Sequence, residues 1–157
     1  MIALAAGAHA MQPMTASHHT GELAEVIAEV DALRARLVAR GFDVVRTKLE
    51  TEAATPGIDA TTGGYFEFHI KVVAENVERL RAIAVAHRAH VSGNERRPGQ
   101  RFVTLRVYRA DRAAAEAELA ALERAIAGGG FAITGVIREY TLADSRAELD
   151  AGWLEPG

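Results

Sequence analysis

Between residues 20 and 144 the chain alternates between two hydrophobic periods. Leu23, Val26, Ile27, Val30, Leu33 and Leu37 recur at helical spacing. Glu22 and Glu25 open this stretch, Arg34, Arg36 and Arg40 close it, and Gly41 supplies a stop. A helix is therefore predicted from about Thr20. Phe42 to Glu50 reads as a strand, and the Thr-, Gly- and Pro-rich stretch 51–64 reads as a loop. Tyr65 to Val73 is the clearest strand, with Phe66, Phe68, Ile70 and Val72 alternating with Tyr65, Glu67, His69 and Lys71. Asn76 caps a helix expected to reach about Ala89, and His90 to Asn94 is a short strand. After a turn at 95–100, Arg101 to Arg109 is another strand, with Val103, Leu105 and Val107 on one face and Phe102, Thr104, Arg106 and Tyr108 on the other. Asp111 caps an alanine-rich helix that ends at Gly128–Gly130, and Phe131 to Leu142 is the last strand.

From Tyr65 onward the order is strand, helix, strand, strand, helix, strand. This is the split βαβ pattern of a ferredoxin-like α+β fold, an antiparallel sheet with its helices on one face. Here it is preceded by an extra N-terminal helix and strand. Residues 32–50 and 121–139 share Ala, Leu, Gly, Phe and Glu at an offset of 89, which points to an internal duplication and a sheet of about five strands. Residues 1–20 are expected to form a flexible leader and 21–144 a single domain. In the tail, 145–157, the lone Trp153 and its neighbours Leu149 and Leu154 are expected to pack down on that domain.

Composition narrows the class. Hydrophobic residues make up 49% and charged residues 25% of the 157, which suits a soluble globular domain and excludes a disordered or collagen-like chain. The absence of cysteine removes disulfides, thiolate metal sites and cysteine nucleophiles. His9, His18 and His19 lack a fixed third ligand, so no metal is expected, and no cofactor fingerprint is present. A net charge of −3 gives no global attraction to nucleic acid or to an anionic membrane. No stretch is long enough to span a bilayer, and no export signal stands at the start, which makes a cytoplasmic location the expectation.

Sixteen of the 18 basic residues are arginines, a total that compositional bias explains, so only placement is informative. Seven arginines crowd between Arg88 and Arg112, densest in the hairpin 93–101, and few aromatic platforms stand beside them. That hairpin reads as a solvated tip that discourages edge pairing, and nucleic acid is not an expected partner. The two rare lysines, Lys48 and Lys71, both fall in predicted strands.

Candidate chemistry gathers where the strands turn their polar faces. If Phe66, Phe68, Ile70 and Val72 face the helices, then Tyr65, Glu67, His69 and Lys71 share the opposite face with Arg106 and Tyr108. Arg46 and Lys48 join from the first strand, and Glu139 or Arg138 from the last. Such a face offers Glu67 and His69 as acid and base, with Lys48, Lys71, Arg106, Tyr108 and Arg46 for an anion. The segment Glu67-Phe68-His69-Ile70-Lys71 resembles the alternating pattern of triphosphate tunnel enzymes, but His69 stands where those carry Glu and the segment is not N-terminal. His90-Val91-Ser92 resembles one motif of the two-histidine phosphoesterases, but His69-Ile70-Lys71 lacks the hydroxyl residue of a second copy.

Two functions follow as expectations. The first is a small binding or regulatory module that pairs with a second copy, as a homodimer, through the open sheet face. The second is an enzyme acting on a phosphorylated or carboxylated small molecule at that face.

Overall fold

The computed structural model describes residues 14–57, 63–93, 97 and 99–147, together with the backbone of two short strands, β1 (Ile2–Ala3) and β2 (Met11–Gln12), which pair antiparallel. The expectations placed on the rest of the leader, on the tip of the Arg-rich hairpin and on the tail from residue 148 lie outside the described residues.

Helix α1 (Leu23–Ala39) begins with a capping box, in which the Glu22 backbone N–H donates to the Glu25 carboxylate at 3.2 Å. It stops at Gly41, whose φ of 86° is open to glycine at little cost. Strand β3 (Lys48–Glu52) is shorter than its pattern suggests and shifted toward the C-terminus. The reason is pairing: among the described residues its ladder is with β7 (Ala132–Asp144), and the partner strand ends opposite Lys48. Before that point the backbone contact is between Thr47 and Ser145, with the Ser145 N–H donating to the Thr47 carbonyl at 3.0 Å.

The central strand β4 (Tyr65–Val73) coincides with its predicted bounds. Asn76 then caps α2 (Val77–Ala86) by accepting from the Arg79 N–H at 3.0 Å. The helix ends about three residues earlier than its hydrophobic pattern suggests. Arg88, at φ 57°, makes the left-handed turn there without the glycine that would have marked it in the sequence. Strand β5 (Ala89–Gly93) and β6 (Gln100–Tyr108) form the next hairpin. Asp111 caps α3 (Arg112–Gly128), and its carboxylate accepts from the Ala114 N–H at 2.7 Å.

The five long strands form one antiparallel sheet in the order β3-β7-β4-β6-β5. Helix α2 carries the chain from β4 over β6 to β5, and α3 carries it from β6 over β4 to β7. The protein is therefore a small α+β structure with three helices and a five-stranded antiparallel sheet. Both crossover helices lie on one face. Phe66, Phe68, Ile70 and Val72 of β4 pack there with Leu80 and Ala84 of α2 and with Leu119, Leu122 and Ile126 of α3, all at 1% exposure or less. Tyr140 of β7 completes this layer edge-on to Phe66, with ring centroids 4.9 Å apart.

Helix α1 differs. It has the same 17-residue length as α3 and lies 89 positions before it, with Gly41 and Gly130 both at positive φ after the last turn. Yet α1 buries none of its side chains, and Leu23, Ile27 and Val38 remain 49%, 42% and 51% exposed. No helix among the described residues is long and apolar enough to cross a membrane.

Entry into β4 is the tightest point of the fold. A Cβ added at Gly64 would lie 2.0 Å from the Thr141 carbonyl oxygen and 2.7 Å from the Tyr140 ring. Gly64→Ala must therefore push β4 off β7 or displace the Tyr140 ring. We expect a loss of about 1–3 kcal/mol, the usual cost of an overpacked site, read as a lower urea midpoint; an unchanged midpoint would contradict this close approach.

Candidate functional site

The sheet face away from α2 and α3 is built by register. Across the β4–β6 ladder, Tyr65 stands opposite Tyr108, Glu67 opposite Arg106, His69 opposite Thr104 and Lys71 opposite Phe102. On the other flank β7 places Thr141, Glu139, Ile137 and Gly135 against the same four β4 residues. Because strand side chains alternate, one pairing register places the whole set together.

Glu67 is the centre. Its side chain is 1% exposed, yet it is a carboxylate, and a buried charge requires compensation. Arg106 supplies it from β6, with Nη2 at 2.7 Å and Nε at 2.8 Å from Oε1. Lys48 supplies it from β3, donating to Oε2 from across the intervening strand β7. Burial alone would push the Glu67 carboxyl up. The Arg106 and Lys48 charges outweigh burial and hold it at about 2. Lys48 also contacts Glu50 at 2.5 Å. Burial works against its charge, but Glu67 and Glu50 prevail and raise its pKa.

Tyr65 lies beside this cluster at 5% exposure. The Lys48 ammonium sits 5.6 Å and the Arg106 guanidinium 5.4 Å from its ring centroid, and the Tyr108 ring packs at 4.8 Å. Burial pushes the Tyr65 hydroxyl up to about 12, although Arg106 and Lys48 pull the other way. That hydroxyl donates to Asp144 Oδ2 at 2.8 Å, and Arg46 closes on Asp144 through two contacts of 2.8 and 2.5 Å. Burial would raise the Asp144 carboxyl; the bonds from Arg46 and Tyr65 reverse this and hold it at about 2.

A second polar group lies further along β4. His69 Nδ1 is 2.9 Å from the Thr104 hydroxyl, and Nε2 is 3.3 Å from Glu139 Oε2. Glu67 and Glu139 are direct cross-strand neighbours and would repel. The arrangement separates them, with Glu67 held by the two cations and Glu139 by His69. The choice between the two β7 charges is also settled by register. Glu139 faces this group, while Arg138 points to the helix side, 3.3 Å from Glu116 of α3.

All seven candidate residues thus share one face, but not one site. Arg46, Lys48, Glu67 and Arg106 belong to the buried charge cluster. His69 belongs to the Thr104–Glu139 group. Tyr108 packs on Tyr65 and is 49% exposed. The Lys71 stem approaches Gly135, and Lys71 makes no ion pair among the described residues. Asp144, Glu50 and Thr104 were not singled out by sequence reasoning. Asp144 enters through the β3–β7 irregularity at Leu49/Glu50, which changes which β7 side chains meet the face and gives no signal in composition.

No cluster of metal-ligating side chains occurs among the described residues. The sequence matches no family model, and no match was found among curated proteins or solved structures.

The folded-state carboxyls of Glu67 and Asp144 lie at about 2, below their ordinary values of 4.5 and 3.8. The stability they contribute is complete above those ordinary values and is lost as pH falls toward 2. Acid unfolding of the native chain should steepen in that window. Glu67→Gln should cost about 3 kcal/mol near neutral pH, because Lys48 and Arg106 lose their counter-charge, and should flatten the acid limb. A variant as stable as the native chain, with the same acid limb, would show that the pairing carries no energy.

Proposed function

We propose that the chain is a small binding or regulatory module of ferredoxin-like type whose open face associates with a second copy. One observation carries this reading: the cations of the buried cluster are already matched within the chain. Arg46, Lys48 and Arg106 meet Asp144, Glu50 and Glu67, which leaves that half of the face neutral and without spare charge for a phosphate. Along the face Tyr108, Val73 and Ile137 are 49%, 48% and 37% exposed. Neutralised charge interrupted by exposed aromatic and aliphatic side chains has the composition of a protein interface.

The strand order β7-β4-β6-β5 and its two helical crossovers support the ferredoxin-like reading, with β3 as a fifth strand. The matching lengths and stops of α1 and α3, followed by strands that pair side by side, support a duplication. A cytoplasmic location accompanies this reading.

A second reading rests on Lys71. It lies two residues from His69 on the same face and has no carboxylate partner among the described residues. An enzyme built here would hold a phosphorylated or carboxylated small molecule at Lys71. His69, oriented by Glu139, would exchange the proton. Glu67, held at about 2, stays ionised through the neutral range and serves to fix Arg106 and Lys48 in place.

Light scattering separates the two. The module reading expects a solution mass twice the 16.8 kDa of the chain, returning to the monomer in Tyr108→Glu. It also expects a His69 ring signal that ignores added phosphate. A monomer at every concentration, with a His69 resonance that shifts saturably with phosphate, would sink the module and favour the enzyme.

A further inference from the structure

Charge on the open face is divided between two rows of the sheet. Across β3, β7 and β4, Glu52, Glu139 and Glu67 are direct cross-strand neighbours. Carboxylates set side by side repel unless cations meet them. Glu67 has Arg106 and Lys48. Glu139 has His69 at 3.3 Å, an imidazole that carries charge only when protonated. Glu52 is exposed and makes no ion pair among the described residues. Lys71 is the opposite case, a cation without a carboxylate among the described residues. It stands on β4 about 14 Å along the strand from Glu67, too far to serve the acidic row of its own chain.

The spacing of these rows is symmetric. His69, Thr104 and Ile137 form the row midway between Glu67 and Lys71. One step further out, Tyr65 and Tyr108 lie beyond Glu67, and Val73 lies beyond Lys71. A two-fold axis laid across the strands along the His69–Ile137 row, in the plane between two facing sheets, exchanges the outer rows. Lys71 of each copy then faces the Glu52–Glu139 row of the other. Exposed Val73 faces the Tyr65–Tyr108 pair, and exposed Ile137 meets its own copy on the axis. Packed sheets stand about 10 Å apart, a gap that lysine and glutamate side chains close from opposite sides. Other placements are unfavourable. An axis along the Glu67 row sets glutamates on glutamates, one along the Lys71 row sets lysine on lysine, and one parallel to the strands keeps every row facing itself.

Given self-association through the open face, on which this pairing rests, we infer that the occupant of the face is a second copy in this one register. Lys71 is the specificity residue, and Glu52 with Glu139 is its seat on the partner. A two-fold interface makes each contact twice, so a single substitution acts at both ends.

The register is read by charge exchange. Lys71→Glu should raise the dimer Kd by about tenfold or more in sedimentation equilibrium, and Glu52→Lys should do the same, with native circular dichroism in both. An equimolar mixture of the two variants restores opposite charges at both ends and should recover the native affinity, which a folding defect could not do. In the native chain, carbodiimide should couple Lys71 of an isotope-labelled copy to Glu52 or Glu139 of an unlabelled one. A native chain that stays monomeric at every concentration removes the dimer and this pairing together. A native dimer that both variants leave intact overturns the pairing alone and leaves self-association standing. Weakened variants that stay apart when mixed, or a native dimer without the Lys71 coupling, have the same meaning.

Discussion

The Glu67 carboxylate, enclosed between the Arg106 guanidinium and the Lys48 ammonium, is the contact on which the open face depends. A carboxylate at 1% exposure is untenable without partners, since desolvation costs several kcal/mol per ion. The sheet order sets who those partners are. Arg106 is the direct cross-strand neighbour on β6, and Lys48 reaches in from β3 across β7. One side chain therefore ties three strands, and the edge strand β3 is held to the centre of the sheet by charge as well as by its ladder. Tyr65 closes the arrangement, with its ring near both cations and its hydroxyl on Asp144.

This constraint decides how the face can be used. Cations committed to an internal carboxylate are poor hands for an external anion, because an incoming phosphate must displace a preorganised bond. The same commitment leaves that half of the face electrically quiet, with Tyr108, Val73 and Ile137 exposed along it. The His69–Thr104–Glu139 group and Lys71 lie apart from the cluster and keep their own chemistry. Glu67 organises this region by holding Arg106 and Lys48.

Much of this was legible in the sequence, and the parts that were not have physical reasons. Strict alternation in β4 and β6 gave both faces correctly, since burial on one side fixes parity. Asn76, Asp111, Gly41 and Gly130 marked helix ends because capping chemistry is local. The end of α2 was overrun because Arg88 adopts the left-handed turn in place of glycine. The start of β3 was misjudged because a strand exists only where a partner exists, and β7 ends at Asp144. The same non-locality hid Asp144, which meets Tyr65 and Arg46 only through the β3–β7 irregularity. Pattern placed the candidate cations on one face but could not show that carboxylates already hold three of them.

A site-resolved carboxyl NMR titration of Glu67 in the native chain tests this account most directly. The enclosed ion pair predicts a Glu67 carboxyl that stays ionised until about pH 2, or until the protein unfolds. A Glu67 signal that titrates in the folded chain near the ordinary value of 4.5 would show a solvated, uncommitted carboxylate, leave Arg106 and Lys48 free for an anion, and contradict the central claim.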